Sequence, residues 1–346
     1  MRLCVDIMGG DHAPNAILKG CQQAIQDLGP EDQLVMVGPS DVIKEYLHEQ
    51  GLEKDPRLVI EHASEVIGMD ESPVDAVRAK KDSSIVVSAL LGSKRSTKTV
   101  CDAVISAGNT GACVSAATMQ MRRLPGVHRP GIAVTMPTFH GPVVLCDAGA
   151  NPEPRPTHLW QYGLMAETVA KVMNRKSDVR IALMNIGSEE EKGTDLIRET
   201  HALFKATPGV NYVGFVEGRD LFSGVTDVVV TDGLVGNTLL KMAEGMASSL
   251  IKGIIHEVTM ADADLMLRLQ PIFEEMFRKN DYHEHGGAPL LGVNGTYLIA
   301  HGSSEAKSIR SALKQARKFV SAHLNDAIVA RLAEVEKAMG RTPSAE

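Results

Sequence analysis

The run Ala103-Val-Ile-Ser106, followed at once by Ala107-Gly108-Asn109-Thr110-Gly111-Ala112, decides how the chain is read. Its apolar, β-branched half reads as a strand covered on both faces. The glycine-rich half reads as a turn that opens a helix over 112–123. The same plan recurs along the chain. Strand-like runs at 3–7, 34–37, 58–61, 143–146, 180–184, 212–216 and 227–230 end in or beside Gly, Asp or Asn. Helical periods at 15–28, 40–50, 156–174 and 189–205 stand between them. This alternation predicts an α/β fold with a mainly parallel sheet flanked by helices. With no repeat or obvious linker, 1–340 are expected to form a single catalytic unit, followed by a disordered tail at 341–346.

After Gly236 the pattern changes. Met242, Met246, Leu250, Ile254 and Val258 recur every fourth residue, and Ala243, Ala247, Ile251 and Ile255 form a second row beside them. Asp262 is placed to cap a second helix carrying Leu265, Leu269, Ile272 and Met276. Together these predict a protruding amphipathic helical hairpin over about 237–280. Its broad apolar face suits core or dimer packing, or contact with a bilayer or a lipid-handling partner.

Of the 346 residues, 44% are hydrophobic, enough for a large core, and the formal net charge is −7. That charge argues against nucleic-acid binding, which needs a basic footprint. The five cysteines are scattered without CxxC spacing, which fits a reducing, cytoplasmic compartment. No leader and no apolar run near the roughly 18 to 20 residues of a membrane span is evident. A soluble protein with peripheral membrane contact is expected.

The strand ends carry the chemistry. Asp6, Gly9, Gly10, Asp11 and His12 follow the first run, and Gly108, Asn109, Thr110 and Gly111 follow another. Asp147 with Asn151, Asn185 with Gly187, and Asp232, Gly233, Gly236 with Asn237 repeat the arrangement. Glycines admit close backbone approach, and helix N-termini aim N–H groups at anions. Five such loops converging on one carboxyl edge predict a site for phosphate or another oxyanion. The stretch 286–295, which includes Asn294 and Gly295, reads as a wall against an acyl or pantetheine chain, or as a plain loop entering a strand. GxGxxG after the first strand, GxxxxGK[ST] and GxSxG are all absent, so a dinucleotide fingerprint, a P-loop and a hydrolase serine have no support. Asp281, His283 and His285 lack a distant further ligand, so no metal or other cofactor is expected. Cys113 reads as a buried structural thiol.

These same loops carry a resemblance. DIMGGDHAP at 6–14, ISAGNTGA at 105–112, DAGAN at 147–151, NIGSEEEKG at 185–193, TDGLVGN at 231–237 and GGAPLLGVNG at 286–295 closely resemble, in order and spacing, the bacterial phosphate acyltransferases of phospholipid synthesis. The connector at 152–156, Pro-Glu-Pro-Arg-Pro, departs from the family pattern. The resemblance implies a fold like the isocitrate and isopropylmalate dehydrogenases and the phosphotransacetylases, without nicotinamide. It also implies a loosely membrane-associated homodimer. The reaction implied is transfer of a fatty acyl group from acyl carrier protein to inorganic phosphate. The acyl phosphate would then pass to a membrane glycerol-3-phosphate acyltransferase. On residue chemistry and motif position, Lys192 is the first candidate cation and Lys241 the second. His12 is a candidate acid or phosphate guide, with Asp6 or Asp11 fixing its tautomer. An acidic carrier would seek Arg122, Arg123, Arg129 or Arg175.

Overall fold

The computed structural model describes residues 1–174, 176–280 and 286–341. Arg175 and the trio Asp281, His283 and His285 lie outside the described residues, as does the expected tail apart from Arg341. The Arg341 guanidinium stands 5.8 Å over the Trp160 ring.

Period-2 burial builds the sheet. Leu3, Val5 and Ile7 enter the core on one face while Cys4 enters it on the other, and Leu34 and Met36 alternate with Val35 and Val37 in the same way. The strands are β1 (Arg2–Asp6), β2 (Gln33–Gly38), β3 (Leu58–His62), β4 (Ala103–Ser106), β5 (Gly131–Met136), β6 (Val143–Cys146), β7 (Arg180–Met184), β8 (Asn211–Val216), β9 (Val228–Val230), β10 (Ala288–Leu291) and β11 (Thr296–Ile299). They form one eleven-stranded sheet in the order β3-β2-β1-β4-β11-β10-β5-β6-β9-β7-β8. Every strand-like run read from sequence falls on an observed strand.

β5 and β10 escaped that reading, β11 was legible only as a strand end at Ala300, and the three organise the molecule. β10 pairs antiparallel with both β11 and β5, and β5 pairs antiparallel with β6. The parallel block β3-β2-β1-β4-β11 and the parallel block β6-β9-β7-β8 therefore run in opposite directions. The expectation that all five polar loops share one carboxyl edge is corrected here. The loops after β1 and β4 leave one end of the sheet, and those after β6, β7 and β9 leave the other.

Helices cover both faces. On one, α1 (Asn15–Ala24), α6 (Pro156–Asn174), α10 (Ala306–Ser321) and α11 (Leu324–Ala338) bury residues such as Ile17, Trp160, Phe319 and Leu332. On the other, α3 (Pro73–Ala79), α4 (Ser84–Leu91) and α5 (Thr110–Gln120) pack Val77, Ile85 and Ala116. Between them in sequence run α2 (Ser40–Glu49) and α7 (Asp195–Lys205). The helix expected from 189 starts at Asp195 because Thr194 caps it, its side chain accepting from Ile197 N–H.

The hairpin is α8 (Gly233–Ala261) and α9 (Ala263–Asn280). Asp262 caps the second helix as expected, accepting from Leu265 N–H at 2.9 Å. Ile251 and Phe273 are buried, whereas Met242, Met246, Leu250 and Ile254 are between 48% and 65% exposed. Of the two rows read from sequence, Met242–Ile254 is therefore the outer face of α8, while Ile251 of the second row packs inward. No helix among the described residues is long and apolar enough to cross a membrane.

One ion pair pins the start of β7 to β9. The Asp227 carboxylate accepts from Arg180 Nε (3.1 Å), Arg180 N–H (2.8 Å) and Lys176 Nζ (2.9 Å). Burial pushes its pKa up, but these donors outweigh burial and hold it down at about 2. Its stabilising effect is present above the unfolded Asp pKa and is lost as pH falls through about 2. Asp227→Asn is expected to cost about 1–3 kcal/mol in urea unfolding at neutral pH, because the two cations lose their acceptor. The deficit should shrink below pH 3; a constant deficit across that range would rule the ion pair out as its source.

Candidate active site

The loops from the two ends of the sheet meet over the reversal. A cavity of about 390 Å³ lies against Ile132 and Val134 of β5. Asp11 and Thr110 reach it from one block, Gly149, Asn237 and Lys241 from the other, and His301, Gly302 and Gln315 from beyond β11.

Much of the polar machinery holds the loops rather than facing the cavity. Asp6 is fully buried, accepting from Ser106 Oγ (2.6 Å) and Met8 N–H (3.1 Å), and Ser106 Oγ in turn accepts from Gly108 N–H. Burial raises the Asp6 pKa although these bonds oppose it. At Gly9 an added Cβ would stand 2.6 Å from Gly108 N, so the first two loops touch backbone to backbone. Gly10 has φ +105°, and Asp11 N–H donates to Gly302 O at 2.7 Å, which draws in the loop after β11. Asn109 Oδ1 caps α5 through Ala112 N–H, while its Nδ2 donates to Met69 O (3.1 Å) and Glu71 O (3.2 Å). Gly111 lies against Pro73, where a Cβ would sit 2.6 Å from the ring. Asn109 and Gly111 shape this wall, and only Thr110 of the group lines the cavity.

The opposite wall rests on Asp147. Its buried carboxylate accepts from the N–H groups of Ile132, Gly149, Ala150 and Asn151 at 2.7–3.2 Å. Burial raises its pKa despite that set of donors. Asn151 Nδ2 donates to Pro130 O (2.7 Å) and Tyr162 Oη (2.8 Å), so it too is structural. Asp232 caps α8 through Val235 N–H. Gly233 and Gly236 let that helix press onto loop 147–151; a Cβ on Gly236 would lie 1.9 Å from Asp147 O. This contact aims Asn237 and Lys241 at the cavity.

Lys241 forms no ion pair among the described residues and lines the cavity. Lys192, the cation ranked first from sequence, is paired with Glu189 at 2.8 Å, packs beside Gly187 and does not line the cavity. Asn185 ties the same loop, donating to Lys192 O at 3.3 Å. His12 is exposed in the turn before α1, and its ring makes no bond to Asp6, whose carboxylate is turned beneath the loop. The proposed tautomer lock through Asp6 is thus corrected. Asn294 and Gly295 stand in the β10–β11 turn at the far end of those strands, where Asn294 N–H donates to Arg122 O at 2.9 Å and Gly295 lies against Met121 and Gly92. They serve the turn, not the cavity wall, whereas Gly286 and Gly287 of the same motif do line it. Cys113 is buried, and burial pushes its thiol up to about 11. Among the described residues, no group of three or more His, Cys, Asp or Glu is arranged to hold a metal.

Two residues escaped the sequence reading. His301 lines the cavity, and its Nδ1 accepts from Ser303 N–H at 3.2 Å, which places the neutral ring's proton on Nε2. The buried Gln315 Oε1 lines the cavity without a hydrogen-bond partner among the described residues. The pattern Ala300-His301-Gly302-Ser303-Ser304 reads as a strand end leading into a capped helix, which β11 and α10 bear out, but only the fold shows where the ring stands.

Gly236→Ala is expected to cost about 1–3 kcal/mol through the clash with Asp147 O and to displace Lys241. Urea unfolding and turnover should both register it; wild-type behaviour in both would show that loop 147–151 is free to yield.

The comparisons with known proteins agree with this architecture. The family described as "Fatty acid synthesis protein" matches residues 1–327. A phosphate acyltransferase of Clostridium perfringens is 42% identical over 337 residues, covering 96% of each chain. One from Heliobacterium modesticaldum is 43% identical over 331 residues, covering 95% of this chain and 96% of its own. A phosphotransacetylase from Streptococcus pyogenes superposes with a TM-score of 0.57 at 16% identity, covering 97% of this chain and 94% of that one, a likeness of fold. The family match over residues 1–327 and sequence identity running nearly end to end lead to one assignment: the chain belongs to the fatty acid synthesis protein family, together with the phosphate acyltransferases.

Proposed function

We propose that the protein transfers a fatty acyl group from the thioester of acyl carrier protein to inorganic phosphate. The observation that carries this reading is that Lys241, without an ion pair among the described residues, shares one cavity with Thr110 in the first turn of α5. The N–H groups of Thr110 and Gly111 have no acceptor among the described residues, and with the helix dipole they favour an anion. Ile132, Val134, Leu240 and Ile299 supply an apolar surface for the thioester chain. No cysteine or serine lines the cavity among the described residues, which favours direct attack over an acyl-enzyme.

A phosphate oxygen attacks the thioester carbonyl carbon, the C–S bond of the tetrahedral intermediate breaks, and the sulfur takes a proton. Lys241 and the α5 N–H groups hold phosphate, and Asn237 and the Thr110 hydroxyl orient it. Asp11 accepts the proton that phosphate releases and passes it to the leaving thiolate, while His301 Nε2–H donates a hydrogen bond to the charge that develops at the reacting centre. Residues 1–340 act as one catalytic unit, since both blocks of the sheet supply the cavity.

The protein works in the cytoplasm as a homodimer, at the inner face of the membrane, and passes acyl phosphate to a membrane glycerol-3-phosphate acyltransferase. The exposed Met242–Ile254 stripe supports contact with a second copy or with lipid. Leu250→Asp with Ile254→Asp is expected to release the protein from anionic liposomes in flotation. Dissociation to monomers in sedimentation would instead assign the stripe to dimer packing.

The primary test incubates the protein with palmitoyl-carrier protein and phosphate and traps product with hydroxylamine. Phosphate-dependent hydroxamate with free carrier thiol is expected; none, across several chain lengths, would overturn the reading. Lys241→Ala should lower kcat/KM on the order of a hundredfold, with Lys192→Ala and His12→Ala less affected. A larger loss at Lys192 would transfer the phosphate-holding role to it.

A further inference from the structure

A second cavity, about 760 Å³, opens on the other side of loop 147–151. Ala148 and Gly149 line the first cavity, whereas Ala150 and Asn151 line this one, so consecutive residues of one loop divide the two. Its chemistry is different. Arg123, Arg129 and Arg155 converge on it with His128 and His158, and Glu153 is the sole acidic residue in its lining. Among the described residues no carboxylate pairs with any of the three arginines, although the chain carries a net charge of −7.

Local bonds order two stretches of this rim. Arg123 Nη1 donates to His128 O at 2.6 Å, and Arg155 N–H donates to His158 Nδ1 at 3.1 Å. His158 sits in the first turn of α6, so the helix N-terminus adds positive potential. The His158 pKa is held down to about 4, first by desolvation and then by His128, Arg129 and Arg155. Cations gathered without counter-charge beside a concave surface suit an anion with several charges, and guanidinium forks match phosphate oxygens.

Resting on the reading under Proposed function, we propose that this cavity docks the acidic carrier of the donor thioester, with Arg123, Arg129 and Arg155 gripping the phosphodiester at the root of its prosthetic arm. The arm's thioester end then serves the cavity across the loop. The connector at 152–156 supplies Arg155 to the grip.

The test titrates the full-length protein with fluorescently labelled holo-carrier protein and reads anisotropy. Arg129→Glu with Arg155→Glu should raise Kd on the order of tenfold, and wild-type affinity should fall as salt is added. Equal Kd values for the two proteins, or no binding by wild type, would overturn the proposal. Should the reversal variant melt early, Arg129→Gln with Arg155→Gln carries the same comparison. The ratio of kcat/KM for acyl-carrier to that for a carrier-free acyl thioester should fall by a similar factor. Equal losses on both substrates would mean a structural role and also overturn it. Binding is read without turnover, so a protein that binds carrier through these arginines yet makes no acyl phosphate would sink the proposed activity alone.

Discussion

The Asp147 carboxylate, buried beneath its own loop, is the interaction on which the cavity walls depend. Four backbone N–H groups converge on it, one from β5 and three from the loop. In a low-dielectric interior such bonds are strong, and removing the acceptor would strand every donor. The shape they impose brings Asp147 O against Gly236, sets the start of α8, and so fixes where Asn237 and Lys241 point. Asp6 does the same for the other wall through Ser106 and Gly108. Two carboxylates with the motif positions of catalytic groups act as scaffolding, and desolvation lifts both pKa values.

The division of labour among the loop residues follows from hydrogen-bond capacity. Asn109 and Asn151 use their side-chain amides to clamp neighbouring backbone, which leaves little for a ligand. Thr110, Lys241 and His301 stand one step beyond those clamps and present groups to the cavity. A rigid shell behind a few cavity-lining groups is what positional catalysis needs, because small displacements of a reacting atom cost large factors in rate. The same loop serves two spaces of opposite character, an apolar-floored cavity on one side and an arginine-rimmed one on the other.

Burial explains which parts of the pattern were legible. The strand runs are continuous and apolar because helices cover both faces of the sheet, so β1 to β4 and β6 to β9 could be read directly. β5, β10 and β11 are flanked by Gly, Pro and Asn, and their periodicity is too short to separate from turns. The apolar row Met242–Ile254 was visible as a stripe. Its period alone does not say whether it faces inward or outward, and Ile251 rather than Leu250 turned out to pack. Lys192 and Lys241 look alike in sequence; the Glu189 carboxylate 2.8 Å from Lys192 separates them.

Local chemistry determined what the chain alone could determine: strand-helix alternation, glycines where backbones must touch, Asp and Asn at helix starts, and a motif set specific enough to indicate the family. These depend on neighbours within a few residues, which sequence records. The antiparallel reversal through β10 and β5 and the meeting of loops from opposite ends of the sheet were decided only by tertiary structure. They depend on contacts between residues a hundred or more positions apart, where pairing geometry and desolvation, not local propensity, select the outcome.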